Sequence, residues 1–374
     1  MATTTVLAGL ELVKWQSKFM REFVRDSGFE PYMGTEMTNI ICVKNDLTET
    51  GYTIRVPLVG RLKGAGVTGS TTLTGTEEAM DQYYQDVTWE YFRHAVTWTK
   101  KEAEKIGPRL MEEARPLLKE WAAELVKYQI IDTFHKMDGA KFSDAAAGAR
   151  NTWLTNNRDR VVFGKLLANA ASNVHATALA TLDTTDDKMT TDVLVQAKRL
   201  ARTANPHITP FKSGTSGKEY FVQFTHSRAF RDLKKDPVMI NANRDARARE
   251  GSGMDSNPIF QDGDLIYDGV IVREIPEFES GRTSGVNAET TLVNAGSGGT
   301  TDVGVSFLCG QQALAFANKQ MAKPTDKTET DYGFVVGKGI ELAHGIEKLT
   351  WANGSGTRKD NGMVTIYTAA APDA

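Results

Sequence analysis

The sequence predicts an α+β protein whose fold is completed by copies of itself, and three observations carry that prediction. A glycine-punctuated hairpin arm occupies residues 51 to 98, a long amphipathic helical segment follows at 101 to 137, and short helices and strands then interleave to the end of the chain. Strands and helices in such separate runs read as an α+β layout. The arm is the most informative of the three. A strand pattern from Tyr52 to Val59 runs into a stretch broken by Gly60, Gly64, Gly66, Gly69 and Gly75, and a second strand-like run extends from Gln82 to Trp98. An isolated two-stranded ribbon is marginal in water. This one has too few large apolar residues to bury itself, so its sequence makes sense if a second copy completes it. Arg61 and Lys63 stand just before the glycine-rich loop and Glu77 and Glu78 within it. Their opposite charges make these four the candidate contact residues between copies.

The other elements follow in order. Leu12, Trp15, Phe19 and Phe23 recur at helical spacing and predict an amphipathic helix over residues 7 to 25, ended by Gly28, Pro31 and Gly34. Residues 35 to 50 read as extended. In the long segment, Ile106, Leu110, Ala114, Leu117, Trp121, Leu125, Tyr128 and Phe134 form one apolar stripe. Pro108 suits a first turn. Pro116 lacks a donor and its ring crowds the preceding turn, so a kink, or a helix start near it, is expected there. Asp138-Gly139 closes the segment. A helical patch is expected at Gly164 to Ala180, and Thr190 or Thr191 can cap a helix from Asp192 to Ala204. Tyr220 to Phe224 reads as a strand, Ser227 to Lys235 as a short helix and Gly269 to Ile275 as a strand. Residues 279 to 302 form a polar loop. Val305 to Cys309 reads as a buried strand and Gln311 to Lys319 as a short helix. Strands around Tyr332 to Val336, Leu342 to Trp351 and Val364 to Tyr367 end the pattern.

Composition bounds the function. The 374 residues carry a net charge of −3, with 40% hydrophobic and 24% charged residues, an ordinary globular balance without a global basic field. Cys42 and Cys309 stand alone, which argues against a disulfide framework or a cysteine-based metal site. No signal-peptide pattern and no membrane-length apolar run are found, and a soluble protein made in a reducing cytoplasm is expected.

Catalytic motifs fail one by one, so no enzyme, metal or cofactor is expected. The SGTSGK stretch, Ser213 to Lys218, has Lys212 and Glu219 where a phosphate loop needs Gly and Ser or Thr, and a strand follows where a helix should begin. None of the six histidines pairs with another at ligand spacing. Asp183, Asp186 and Asp187 lack the rest of a calcium loop. Arg228, Arg231, Lys234, Lys235, Arg244, Arg247 and Arg249 form a basic run diluted by Asp232, Asp236, Asp245 and Glu250. It reads as a solvated face laced with ion pairs or, alternatively, as a surface for non-specific contact with nucleic acid, carried by Arg244, Arg247 and Arg249.

Four stretches carry a family resemblance. They are IRVPLVGRLKGAGVTGSTTLTGTEE from Ile54 to Glu78; Arg93-His94-Ala95-Val96, leading into the helix with Ala114-Arg115 and Leu118 to Trp121; Asn257-Pro258-Ile259-Phe260 followed by Tyr267-Asp268-Gly269-Val270; and Leu308 to Ala313, with Asp331-Tyr332-Gly333 downstream. In order and spacing the chain resembles the major capsid proteins of tailed bacteriophages, in particular those of N-four-like podoviruses, over roughly residues 10 to 352. Pro116 and the loop at 279 to 302 depart from the family pattern. The resemblance implies a Hong Kong 97-type capsid fold: an N-terminal arm at 1–50, the extended hairpin called the E-loop at 51–98, a peripheral domain at 99–205 with its spine helix at 101–137, an axial domain at 206–334, and a return to the peripheral domain over 335–374. It implies a structural protein, not an enzyme, that self-assembles as hexamers and pentamers into an icosahedral phage head enclosing double-stranded DNA. The expected partners are the protein itself, a separate scaffolding protein, a portal, decoration proteins and packaged DNA through weak, non-specific contact, with no membrane. The expected location is the virion, after synthesis in the host cytoplasm. An encapsulin-type cellular shell protein is the alternative.

Overall fold

The computed structural model describes residues 29–45, 53–60, 62, 64–80, 82–102, 109–213, 218–242, 265–279, 291–327, 332, 334–352 and 358–373. The helix expected over residues 7 to 25 lies outside them. The chain enters through β1 (Met33–Gly34) and β2 (Ile41–Lys44), makes the ribbon β3 (Thr53–Val59) and β4 (Gln82–Thr88), and continues as β5 (Glu90–Thr99) into α1 (Arg109–Phe134). Then come α2 (Ala147–Asn156), β6 (Val161–Phe163), α3 (His175–Ala180), α4 (Thr191–Thr203), β7 (Phe211–Ser213), β8 (Lys218–Thr225) and α5 (Ser227–Lys235). Strands β9 (Leu265–Tyr267), β10 (Val270–Glu274), β11 (Thr291–Leu292), β12 (Val303–Cys309), β13 (Leu314–Asp326) and β14 (Val335–Lys348) follow. The short pair β15 (Thr350–Ala352) and β16 (Arg358–Asp360) leads to β17 (Met363–Ala369).

Two sheets organise these elements. One has the order β1-β2-β13-β14-β5; the other runs β6-β17-β12-β8-β10-β9, with β7 on β8 and β11 on β12. The sheets cross the expected domain boundaries at 205 and 334. Strands β6 and β17 sit in the sheet with β8, whereas β13 sits in the sheet with β5.

Helix α1 packs on the first sheet through Ala114, Leu118, Ala122, Val126, Ile130 and Phe134, a series at every fourth residue, all buried. The expected stripe was rotated by about one residue: Leu117 is exposed, and Trp121 and Leu125 are only half-buried. The helix also starts seven residues before Pro116 and runs through it, so it does not begin there. Its last turn reaches the main core, where Phe134 stacks on Phe307 with centroids 5.4 Å apart and Phe163 stacks on Tyr367 at 4.8 Å. A second core lies under α4 and α5, with Val193, Leu194, Ala197, Phe230 and Leu233 against Val270, Leu308 and Ile366 of the second sheet.

Two further expectations are corrected. The helix expected at Gln311 to Lys319 is the start of β13. Its alanines and glutamines favour helix, but pairing on both sides, with β2 and β14, overrides that local preference. The cap of α4 is not its own threonine side chain. Thr190 holds the cap position without a side-chain bond, and Asp236 from beyond α5 accepts from the Thr191 amide at 2.7 Å and the Thr191 hydroxyl at 2.8 Å.

One turn fixes how the chain leaves β6. Gly164 has φ of +60°, and a Cβ there would lie 2.0 Å from Asp187 Oδ1. That buried carboxylate accepts from the Lys165 amide and the Asn169 side chain at 3.0 Å each and from the Asp183 amide at 3.2 Å. Left-handed backbone and overlap act together, so Gly164→Ala is expected to cost about 2 kcal/mol or more. Urea unfolding of the subunit reads this as a lowered midpoint; an unchanged midpoint would contradict it.

Candidate assembly surface

The hairpin is an anchored base carrying an exposed tip. In β3 the alternation Ile54, Val56, Leu58 puts one face inward, where Val56 and Leu58 are buried. Val56 and Val87 pack on Ala315 and Ala317 of β13 and on Leu349. Tyr83 meets Trp351 edge-on at 5.5 Å, and the Thr350 hydroxyl donates to Gln85 at 2.9 Å. On the outer face, Arg55 lies directly across the ladder from Asp86 and donates to both its oxygens at 2.8 and 2.9 Å. That hydrogen bond holds the Asp86 carboxyl below the usual carboxylate range. The anchoring residues were missed at the sequence level, although the period-two pattern Ile54-Val56-Leu58 carried the signal.

The tip is different. Each described residue from Leu62 to Met80 is exposed, and Leu62, Leu73 and Met80 are each 58% exposed or more. Its shape comes from local polar bonds. The Gly64 amide donates to Glu78 Oε2 and the Gly75 amide to Glu77 Oε2, each at 2.6 Å. Gly75 has φ of +92°, a conformation that favours glycine. Glu77 and Glu78 therefore order the loop from which they project; their expected opposites Arg61 and Lys63 lie outside the described residues.

The basic run divides. Arg228 forms ion pairs with Glu279 and Asp302 and donates to the Ala370 carbonyl at 3.1 Å. Arg231 pairs with Asp232 and Asp373 and donates to the Ala371 carbonyl at 2.9 Å. These two arginines hold the tail after β17 against α5, as the ion-pair reading expected. Arg244, Arg247 and Arg249 lie outside the described residues. The SGTSGK stretch joins β7 to β8 as antiparallel neighbours, and its strand-to-strand setting offers no helix N-terminus to a phosphate. Among the described residues no group of three or more His, Cys, Asp or Glu is placed to hold a metal ion. No described helix is long and apolar enough to cross a membrane. Cys42 and Cys309 are both buried and unpaired, and burial pushes the Cys42 thiol up to about 11.

The family model described as phage capsid protein matches residues 3–372. The chain belongs to the phage capsid protein family. The capsid protein is 24% identical over 370 residues to the major capsid protein of Pseudomonas phage KPP25, covering 95% of this chain and 94% of that one. Its structure superposes on the capsid of cyanophage Pam1 with a TM-score of 0.81 and 32% identity, over 94% of both chains. The capsid of Ralstonia phage GP4 follows at 0.69 and 19% identity, over 92% of both. The protein is thus a phage major capsid protein, a structural component of the virion with the mixed helix-and-sheet fold of phage capsids, that assembles with itself into multi-subunit shells and is not an enzyme. These matches do not favour the encapsulin-type alternative.

Proposed function

We propose that the capsid protein builds its shell as hexamers and pentamers through the hairpin, the E-loop, whose tip lies across a neighbouring copy. The observation that carries this reading is the contrast within one element: a base fixed on β13 by Val56 and Val87 and on Trp351 by Tyr83, and a tip that exposes Leu62, Leu73 and Met80. Apolar side chains held outward on an ordered loop fit a surface that a second copy covers. Arg61, Lys63, Glu77 and Glu78 are proposed as polar contacts around them. The sheet containing β5 and β14, with α1 as spine, is assigned to the peripheral domain, and the sheet containing β8 and β12 to the axial domain, with residues 1–50 as N-terminal arm. A separate scaffolding protein, a portal and decoration proteins are the proposed further partners. Packaged DNA touches the lining weakly and without sequence preference through Arg244, Arg247 and Arg249, in keeping with a net charge of −3.

Deletion of residues 60–76 tests the hairpin role. The base strands and their anchors remain, so the subunit is expected to stay folded and soluble while shells disappear from electron micrographs and sedimentation profiles. Normal particles from that deletion would overturn the reading.

A further inference from the structure

The first sheet ends on one side in a long strand edge with no partner among the described residues. Its other boundary is the two-residue β1, and the path of the second sheet ends in β6 and β9, of three residues each. Strand β5 has 10 residues, and its register with β14 runs unbroken from Glu90 to Thr99. Alternation fixes which of its backbone groups face outward. The Lys100 amide donates to the Phe334 carbonyl at 2.9 Å, so Trp98, Val96 and His94 in turn bond inward to β14. The amides and carbonyls of Thr97, Ala95 and Arg93 therefore point away from it. Two glycines of β14 agree with this phase. A Cβ on Gly337 would lie 2.8 Å from Thr97 Cγ2, and one on Gly339 3.2 Å from Ala95 Cβ, the close approach of pairs that do not bond each other. The outward Thr99 amide is closed by Glu102 Oε2 at 2.9 Å; those of Thr97, Ala95 and Arg93 have no acceptor among the described residues.

Residues 93–97 are exposed on both faces of the strand. Long free edges in folded proteins are blunted by a bulge, a proline or a covering element. The ribbon strand β3 carries Pro57, whereas β5 has neither proline nor bulge. Apolar side chains flank the β5 edge. Val96 is 38% exposed on the α1 side, beside Leu117, which stands one turn before the Trp121 that stacks on His94 and is 61% exposed. An open edge of this kind takes an extended strand as its partner.

We propose that β5 pairs with β5 of a second copy, antiparallel about a two-fold axis at Ala95, joining the two first sheets into one. The strand is complementary to itself in that register. With Ala95 opposite Ala95, Arg93 meets Thr97, Phe92 meets Trp98, His94 meets Val96 and Glu90 meets Lys100. Glu90 and Lys100 are exposed and make no ion pair among the described residues. They stand about 33 Å apart along one strand, so they can pair only between copies. The neighbouring registers lose this match. An axis at Arg93 sets two guanidiniums face to face, one at His94 sets Glu90 against Trp98, and one at Val96 needs the Thr99 amide that Glu102 already holds. The same surface serves both partners, as a two-fold contact requires. The pairing is separate from the hairpin and stands on the self-assembly of the family alone.

Two changes at the axis test it. Ala95→Pro removes an outward amide and no bond to β14, so the unfolding midpoint of the subunit is expected to hold while shell yield falls at least tenfold. Full-chain A95C shells treated with a short bismaleimide should give subunit dimers and nothing larger on a denaturing gel, because a two-fold contact brings each new cysteine to one partner. Cys42 and Cys309 are buried and stay out of the reaction. Normal shell yield from folded A95P, or A95C shells that run as monomer or as a ladder, would overturn the pairing. Monomer is also the result if a neighbour's hairpin or N-terminal residues occupied this edge. Where A95P lowers the midpoint, the A95C gel decides alone. Both variants leave residues 51–88 unchanged, and the gel is read on assembled shells, so failure here is distinguishable from failure of the hairpin role.

Discussion

Lowering the pH from 7.5 to 5 is expected to remove about 6 kcal/mol of stability from the subunit, long before its carboxylates begin to titrate. Three histidines are responsible. His175, His226 and His344 are almost fully buried. Burial, aided by Arg150 at the first and by Arg228 and Arg231 at the second, pushes them down to about 4, 3 and 4 respectively. Above the unfolded value of 6.5 each ring is neutral in both states, and its contribution to stability is fully present. Below 6.5 the unfolded chain takes up protons that the folded chain refuses, so stability falls until the folded values are reached. Each histidine then loses about 1.4 kcal/mol per pH unit, or about 2 kcal/mol by pH 5. Asp159 and Asp236, both held below the ordinary carboxylate value, begin to lose their contributions only at lower pH, so the window from 6.5 to 5 reports the histidines. Urea unfolding of the subunit across that window measures the slope. His175 has an unpartnered Nε2 among Trp153, Phe163 and Tyr367, so His175→Phe should remove about one third of the slope without unfolding the protein. A stability profile flat from pH 7.5 to 5 would show that these rings take up protons in the folded subunit as readily as in the unfolded chain, and would defeat the argument.

Much of the fold was legible because it rests on short-range signals. Glycine spacing marked the loop of the hairpin, the run Ser227 to Lys235 marked α5 at its observed bounds, and the apolar runs at Val305 to Cys309 and Val364 to Tyr367 marked two central strands that extend to Val303–Cys309 and Met363–Ala369. What failed depends on neighbours distant in sequence. Leu314 to Lys319 has a helical local preference and becomes a strand because β2 and β14 bond to it from both sides. The buried face of α1 could not be chosen between two apolar series offset by one residue until β14 was placed beside it. Asp236 caps α4 from 45 residues away, which no capping rule along the chain can see. The hairpin divides in the same way. Glu77 and Glu78 were singled out by charge in a loop that local pattern defines, whereas the anchoring of Val56 and Val87 came to light only when the ribbon was set on β13.

The junction of the two sheets depends on a buried ion pair, and removing either partner is expected to cost about 3–5 kcal/mol. Lys348 ends β14 in the first sheet, and Asp360 ends β16, immediately before β17 of the second. Nζ and Oδ2 are 2.6 Å apart, and each side chain is 4% exposed. Each partner is held by further bonds. Trp153 Nε1 donates to Asp360 Oδ2 at 3.0 Å, and the Asp360 amide donates to Asn157 Oδ1 at 2.7 Å. Lys348 donates to the Lys136 carbonyl, just past the end of α1, at 2.9 Å. The pair thus ties both sheets, α2 and the end of the spine helix at one point. Lys348→Ala would leave a carboxylate without its counter-charge, and Asp360→Ala would leave an ammonium in the same position; in a site closed to water neither can be solvated. Lys348→Met combined with Asp360→Leu removes both charges and keeps the volume. It still orphans Trp153 Nε1 and the Lys136 carbonyl, so it should recover part of the loss, with a coupling of about 2 kcal/mol between the sites. Urea unfolding of the two single alanine variants and of the Met/Leu set measures these terms. A single alanine substitution costing under about 1 kcal/mol would mean that water enters the junction and that the sheets are held together by packing of Phe134, Phe307 and Tyr367 alone.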